Sequence, residues 1–395
     1  GYHHLFRSDT DIINLMDELG LGSKLKWIQS KVWLFHGGKI WDFASPKDLL
    51  AFQPLSVFDR MRLGIVTLYL QKTRNWEKFE SVTAREWLEQ RIGRRPYQVI
   101  WEPMLRGKFG RHYGEVSMAW LWAKIYLRVA SRNHLWEKER LGYPMGSFEE
   151  IFTALAQRVR QKGGEVRTSA EVKRVVIDGG RASGLELEFV DSPPEVRTYD
   201  AVIATTPSYV LSRLAPALPE NYRQKLSGVD YLSAVLVILE LDRPLTTKYW
   251  VNIADRSIPF VGLIEHTNFV GPHLYGGRHI VYLTNYPSVD DPLYKMTSDE
   301  LLADYMPHLT RINPEFRGSW ILDYHHHRVD AAQPIIGVNY RERIPENRTP
   351  LKGLYLANTT QIYPEDRGTN YSVKLGRSVA RLVMQDSSDR NVDVE

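Results

Sequence analysis

The sequence predicts an α/β (α+β) fold in two lobes, and three observations lead there. At 395 residues the chain exceeds the ~250–300 residues at which a single hydrophobic core stops growing. Residues 147–207 alternate helical and strand patterns, as parallel or mixed sheets with covering helices do. Four segments between residues 232 and 329 read as strands of about five to nine residues, rich in β-branched and aromatic side chains.

Taken in order, "SDTDIINLMDELGLG" (8–22) offers Ser8 or Asp9 as a cap, apolar Ile12, Ile13, Leu15, Met16 and Leu19, and a Gly20 stop, so it predicts a helix. "VWLFHGGKIWDF" predicts two short strands around His36-Gly37-Gly38-Lys39, a hairpin signal. From 46 to 140 the pattern is helical. Its most apolar pieces, "PLSVFDRMRLGIVTLYL" and "VSMAWLWAKIYLRVA", are expected as core helices, with a membrane-dipping or substrate-channel surface as the alternative.

"SFEEIFTALAQRVRQKGGEV" has Ser147 and Glu150 at capping-box spacing, apolar Phe148, Ile151, Phe152, Leu155 and Val159 on one face, and Gly163-Gly164 as a stop. "EVRTSAEVKRVVIDGGRASGLELEFV" then reads as a strand, a second strand, a DGGR turn and a third strand, followed by the apolar strand "YDAVIATTP". A second sheet follows from "LSAVLVILELDRP", "FVGLIEH", "RHIVYLTNY" and "SWILDYHHHRV". Residues 353–383, "GLYLANTTQIYPEDRGTNYSVKLGRSVARLV", give a short strand, a polar loop containing Gly368, and a helix opening at Thr369-Asn370. Residues 389–395 are expected as a disordered tail.

Composition removes several function classes. The net charge of +4 comes from 51 basic and 47 acidic residues mixed along the chain, without the basic stripe of a nucleic-acid binder. The densest basic run, "RIGRRPYQ" (91–98), reads as a solvated helix end. The chain has no cysteine, which excludes disulfides, thiolate nucleophiles and Cys-ligated metals and fits a reducing cytoplasm. No apolar run approaches the ~18–20 residues that span a bilayer, which leaves peripheral membrane contact open.

There is no G-x-S-x-G elbow, P-loop or H-E-x-x-H. Asp290-Asp291 falls in a Pro-flanked turn, where Asp serves local hydrogen bonding. His325 and His327 in "YHHHR" share one strand face and could ligate a metal, but the sequence offers no third ligand, so no metal is predicted.

Three segments together, "YPMGSFEEIFTALAQRVRQKGGEVRTSAEVKRV", "YDAVIATTP" and the C-terminal strand-loop-helix, resemble the flavin-containing amine oxidase superfamily, in its protoporphyrinogen oxidase-like and phytoene desaturase-like branch. The helical middle is similar to that branch's substrate region, so the resemblance covers nearly all of residues 1–385. It implies a two-lobed FAD-dependent oxidoreductase fold. Residues 1–7, 142–230 and 342–388 would form a Rossmann-like FAD-binding domain, and 8–141 and 231–341 a mixed-sheet and helical substrate domain.

Such proteins open with a strand, a GxGxxG turn and a helix that bind the pyrophosphate. Here "GLGSKL" (20–25) lacks the third glycine and follows a helix. "GYHHLF" resembles the family's stretch downstream of that unit, so roughly 50 residues, about one βαβ unit, are expected to precede it. The FAD-binding domain is therefore expected to be incomplete.

The resemblance further implies non-covalent FAD, with no Cys for a thioether link. The helix start at Thr369, Asn370 and Tyr371 would face the flavin edge, with Gly368 allowing close approach. Asn358 stands where the family usually has an acidic residue for the ribityl hydroxyls. Val172 would meet the adenine edge through its backbone, Thr205, Thr206 and Pro207 would lie beside the cofactor chain, and His3 would lie near the flavin. Arg377 and Ser378 would have packing roles.

The implied reaction is hydride transfer from a C–H bond of an amine or of a conjugated, isoprenoid-like small molecule. Among 51 basic residues and 12 histidines no catalytic acid or base is singled out. Two alternatives stay open: a UDP-galactopyranose mutase-like flavin isomerase, and a catalytically silent fragment.

Overall fold

The structure is a computed structural model that describes residues 2–30, 32–43, 45–130, 139–190 and 193–392. In chain order it runs α1 (Thr10–Glu18), β1 (Leu25–Gln29), β2 (Val32–His36), β3 (Lys39–Asp42), α2 (Pro46–Ala51), α3 (Val57–Lys72), α4 (Ala84–Ile92) and α5 (Arg94–Pro96). Then come α6 (Glu102–Phe109), α7 (Met118–Ala130), β4 (Arg140–Pro144), α8 (Glu149–Gln161), β5 (Ala170–Asp178), β6 (Arg181–Phe189), β7 (Glu195–Thr198) and β8 (Val202–Ala204). Next are α9 (Ser208–Leu214), α10 (Glu220–Ser227), β9 (Tyr231–Leu241), β10 (Trp250–Ile253), β11 (Gly262–Glu265), α11 (Thr267–Val270), β12 (His279–Asn285) and α12 (Pro292–Lys295). The last elements are α13 (Ser298–Ile312), β13 (Ile321–Pro334), β14 (Leu354–Leu356) and α14 (Thr369–Val392).

The chain divides into two compact units. Unit 1 holds residues 1–8, 26–143 and 231–339, and unit 2 holds 9–25, 144–230 and 340–395. At the chain start the grouping differs from the sequence expectation. Residues 1–8 go with unit 1 because Leu5 bridges Gly142 and the Tyr2 carbonyl takes the Tyr249 hydroxyl. Residues 9–25 go with unit 2 because α1 lies against α14.

Unit 1 is built on a seven-stranded sheet in the order β13-β9-β12-β11-β10-β2-β3, antiparallel except for the β10–β2 pair. Strand β9 alternates as a half-buried strand should, burying Val235, Val237, Leu239 and Leu241 against Leu301, Tyr305 and Leu309 of α13. The β2–β3 hairpin turns on Gly37 and Gly38, both at positive φ, and the Asp255 carboxylate accepts both of their N–H groups, at 2.8 and 3.2 Å.

In the helical part, α7 is the core helix the sequence predicts, with Met118 through Ala123 all buried. Its Trp122 indole donates to the carbonyls of Leu70 and Thr73, at 3.0 and 3.1 Å, completing the end of α3. The α3 segment departs from the core expectation: Leu63 and Leu70 are buried, while Val57, Phe58, Met61, Ile65, Leu68 and Tyr69 are exposed.

Unit 2 carries the three-stranded antiparallel sheet β5-β6-β7, whose DGGR turn uses Gly179 and Gly180 at positive φ, and the parallel pair β14–β8. A core of Val175, Ala182, Val202, Leu211, Leu226, Leu354 and Leu356 joins them to α9 and α10.

Three local expectations change in unit 2. The Ser147–Glu150 capping box does not form, because Glu150 pairs with Lys24 and Ser147 adopts a positive φ; its Oγ accepts the Glu149 N–H instead, at 3.2 Å. Residues 165–168, expected as a strand, form none, and Arg167 pairs there with Glu165 and Glu195. Residues 389–392, expected as tail, continue α14, while 393–395 lie outside the described residues.

Candidate functional site

The parallel pair β14–β8 ends where the predicted binding residues gather. Leu354, Tyr355 and Leu356 align with Val202, Ile203 and Ala204, so the segments 205–207 and 357–358 leave the sheet side by side. The Ala357 N–H donates to the Ala204 carbonyl at 2.9 Å, extending the register by one step.

Asn358 then fixes both chains. Its Nδ2 donates to the Thr206 carbonyl at 2.8 Å and the Ser208 hydroxyl at 3.1 Å, and its Oδ1 accepts from the N–H and hydroxyl of Thr360. An amide has two donors and two acceptor lone pairs, so all four are used within the protein. The side chain is a strut between two loops and takes no further partner.

Beside it, the Thr206 Oγ1 is buried and makes no hydrogen bond, an arrangement that costs about 1–3 kcal/mol unless something satisfies it. Thr205 is exposed at the end of β8, and Pro207 introduces α9.

The other half is the start of α14. The first backbone N–H groups of a helix have no intrahelical acceptor, so Thr369, Asn370 and Tyr371 present donors there, and the ladder begins with Ser372 N–H to the Gly368 carbonyl at 3.0 Å. A Cβ at Gly368 would meet no protein atom within 4 Å.

The Asn370 side chain has a role the sequence did not announce. Its Oδ1 accepts the N–H groups of Asp11 and Ile12, at 2.9 and 3.1 Å, and so caps α1 in place of Ser8 or Asp9. Arg377, about two turns further along, pairs with Glu18 at 2.8 Å. The Tyr371 phenol is held above its ordinary pKa by burial first and then by Glu365, Asp9, Asp366 and Asp11, so it stays a proton donor.

Two predicted residues stand apart. Val172 lies on β5 opposite Leu187 of β6, half-buried, on an outer strand of its sheet. His3 is exposed in unit 1, its ring stacked on Tyr2 at 4.4 Å, whereas the other nine belong to unit 2.

Unit 1 contains a buried polar group that sequence reasoning passed over. Glu265 is fully buried and accepts from the Leu245 N–H (3.0 Å), the Thr246 N–H (2.6 Å) and the Thr246 hydroxyl (2.9 Å); burial nevertheless pushes its pKa up to about 7. His266 next to it is also buried, with Nε2 at 2.8 Å from the Tyr275 hydroxyl and Nδ1 without a partner, and burial brings its pKa down to about 3. Tyr143 and Tyr282 border this imidazole, and Phe269 stacks on Tyr249 at 4.2 Å. The signal in the sequence was a Glu-His pair directly following the apolar run "GLI".

His325 and His327 are both exposed on β13, with His326 half-buried between them. His325 Nε2 lies 3.2 Å from Glu240 and 3.9 Å from Asp323, and Glu240 also binds Arg278. Glu240, Asp323 and His325 together could reach one metal ion, but the carboxylate that would lead such a set is already neutralised by a guanidinium.

This architecture is that of FAD-dependent oxidoreductases of the amine oxidase type. A protein from Exiguobacterium sp. 255-15 provisionally assigned as a protoporphyrinogen oxidase superposes with a TM-score of 0.74 at 15% identity, over 97% of this chain and 86% of that one. Reduced UDP-galactopyranose mutase superposes with 0.69 at 15% identity, over 98% and 85%. By sequence, the chain is 22% identical to the chloroplastic/chromoplastic 15-cis-phytoene desaturase of an Oncidium hybrid cultivar, over 98% of this chain and 69% of the desaturase. Residues 1–384 match the flavin containing amine oxidoreductase family. The chain belongs to that family, and its members' cofactor is a flavin.

The residues present fit such a group at two points, the unsatisfied Thr206 hydroxyl and the donors opening α14. They do not fit at Asn358, whose amide is fully bonded within the protein. Among the described residues no helix is long and apolar enough to cross a membrane.

Proposed function

We propose that this chain is an FAD-dependent oxidoreductase acting on a small amine or a conjugated, isoprenoid-like molecule. The observation that carries the reading is the buried, unpartnered Thr206 hydroxyl at the end of β8, held in place by the strut from Asn358.

In this reading Thr206 and the opening turn of α14 hold the cofactor, and Asn358 acts one step back by fixing the Thr206 backbone. When bound, the flavin supplies the acceptor for a hydride from a substrate C–H bond. The first-turn N–H groups of Thr369, Asn370 and Tyr371 put the positive end of a helix where negative charge is favoured. Tyr371 remains protonated and can donate a hydrogen bond.

A visible spectrum of the purified chain incubated with FAD, followed by release on denaturation, tests this. Retained FAD that is bleached anaerobically by an amine or a polyene supports the oxidoreductase. Turnover that requires prior reduction and shows no net redox change would assign an isomerase. A chain that stays colourless contradicts the reading.

A further inference from the structure

Helix α6 leaves one cation without a counter-charge. Glu102 and Arg106 stand one turn apart on its same face, the spacing at which two such side chains ordinarily pair. They do not pair, because the buried Glu102 carboxylate is taken by Arg256, from the loop after β10. Among the described residues the half-buried Arg106 side chain makes no ion pair and no hydrogen bond. Burial brings its pKa below the usual value, yet a guanidinium in a protein does not give up its proton. The charge therefore stays, with part of its water removed.

Arg106 lines a cleft of about 240 Å³ within unit 1. Pro103 of α6, Ile253 at the end of β10, and Ile258, Val261 and Pro287 supply its apolar walls. The α6 side comes close because it carries glycine. A Cβ on Gly107 would stand 3.1 Å from the Val261 Cβ, and one on Gly110 would stand 3.3 Å from the Tyr286 carbonyl oxygen. Two carboxylates also reach the lining, and each has donors of its own. Asp255 accepts the N–H groups of Gly37 and Gly38 and lies 3.9 Å from Arg311, and Asp291 accepts the Leu293 N–H at 2.9 Å.

We propose that this cleft binds a small monocarboxylate with an apolar body, its carboxylate on Arg106. The planar guanidinium fork matches carboxylate geometry through two parallel N–H···O bonds. One free guanidinium balances one negative charge, whereas a dianionic phosphate would leave a charge over and set it against Asp255 and Asp291. The volume equals that of roughly eight waters at ~30 Å³ each, which admits a ligand of benzoate's size, and the apolar walls suit its ring. The site uses none of the residues assigned to the flavin, so it stands or falls apart from that reading.

The test is calorimetric titration of the full chain, without FAD, with benzoate, with the uncharged isostere benzamide and with inorganic phosphate. The expected result is saturable binding of benzoate, with benzamide and phosphate each about tenfold weaker or more. Arg106→Gln should weaken benzoate about tenfold or more, and Arg106→Lys, which keeps the charge but loses the fork, should fall between. Thermal unfolding should be unchanged or higher in both variants, because Arg106 has no protein partner to lose. The proposal is overturned if the wild-type chain takes up no benzoate, or if benzamide or phosphate binds as tightly. It is overturned too if Arg106→Gln binds benzoate as tightly as wild type, which would put the carboxylate on another of the chain's cations.

Discussion

The Asn370 side chain, in the second position of α14, accepts the backbone N–H of Ile12 at 3.1 Å and that of Asp11 at 2.9 Å, so one helix start caps another. The pairing spans 358 residues of sequence and couples the fold of α1 to the geometry of the candidate cofactor-binding turn.

Replacing Asn370 by Ala leaves two N–H groups at the start of α1 unpaired. The expected loss is about 1–2 kcal/mol of stability, read as a lower denaturation midpoint with an unchanged m-value. Asn370→Ser, whose shorter hydroxyl still accepts, should recover part of it.

Asn358 gives a sharper prediction because the resemblance puts an acid at that position. The Asn358 Nδ2 faces two acceptors, the Thr206 carbonyl and the Ser208 hydroxyl. Asn358→Asp removes that N–H donor and sets a carboxylate oxygen against the Thr206 carbonyl, and should destabilise by about 1–3 kcal/mol, no less than Asn358→Ala. Denaturant melts at neutral pH decide it: an Asp variant as stable as wild type would mean the amide is not the strut described.

The buried neighbours Glu265 and His266 predict opposite pH slopes. His266 titrates at about 3 when folded against an ordinary 6.5, so the unfolded chain binds a proton the native chain refuses, and stability falls as pH drops through that window. Glu265 titrates at about 7 against 4.5, so the native chain keeps a proton the unfolded chain releases, and stability falls as pH rises from about 4.5 to 7.

Each slope amounts to about 1.4 kcal/mol per pH unit when fully developed, and the two oppose each other between about pH 4.5 and 6.5. Denaturation series across that range should show His266→Gln gaining stability on acidification relative to wild type, and Glu265→Gln losing it. Parallel profiles for all three would contradict these assignments.

Much of this was legible in the sequence for identifiable reasons. Period-two alternation in "LSAVLVILEL" and the Gly37-Gly38 turn each state their own geometry locally. The Ser147–Glu150 box failed because a distant cation, Lys24, takes the glutamate, and local spacing cannot see such competition. The α3 stripe has helical period, but periodicity does not say which face turns inward.

The candidate site was legible as a set of segments, since Thr206, Asn358 and the start of α14 were all named. The roles of their side chains were not, because the partners of Asn358 and Asn370 lie about 150 and 358 residues away.

The central claim, that the ends of β8 and β14 hold a flavin through Thr206, is tested most directly by titrating FAD into the wild-type chain and into Thr206→Val. The hydroxyl has no protein partner, so the valine variant should fold as well as wild type. The account predicts saturable uptake of about one FAD per chain by wild type, and binding about tenfold weaker or more in Thr206→Val, the loss of one hydrogen bond. Equal affinity in the two chains, or no uptake by wild type, would contradict it.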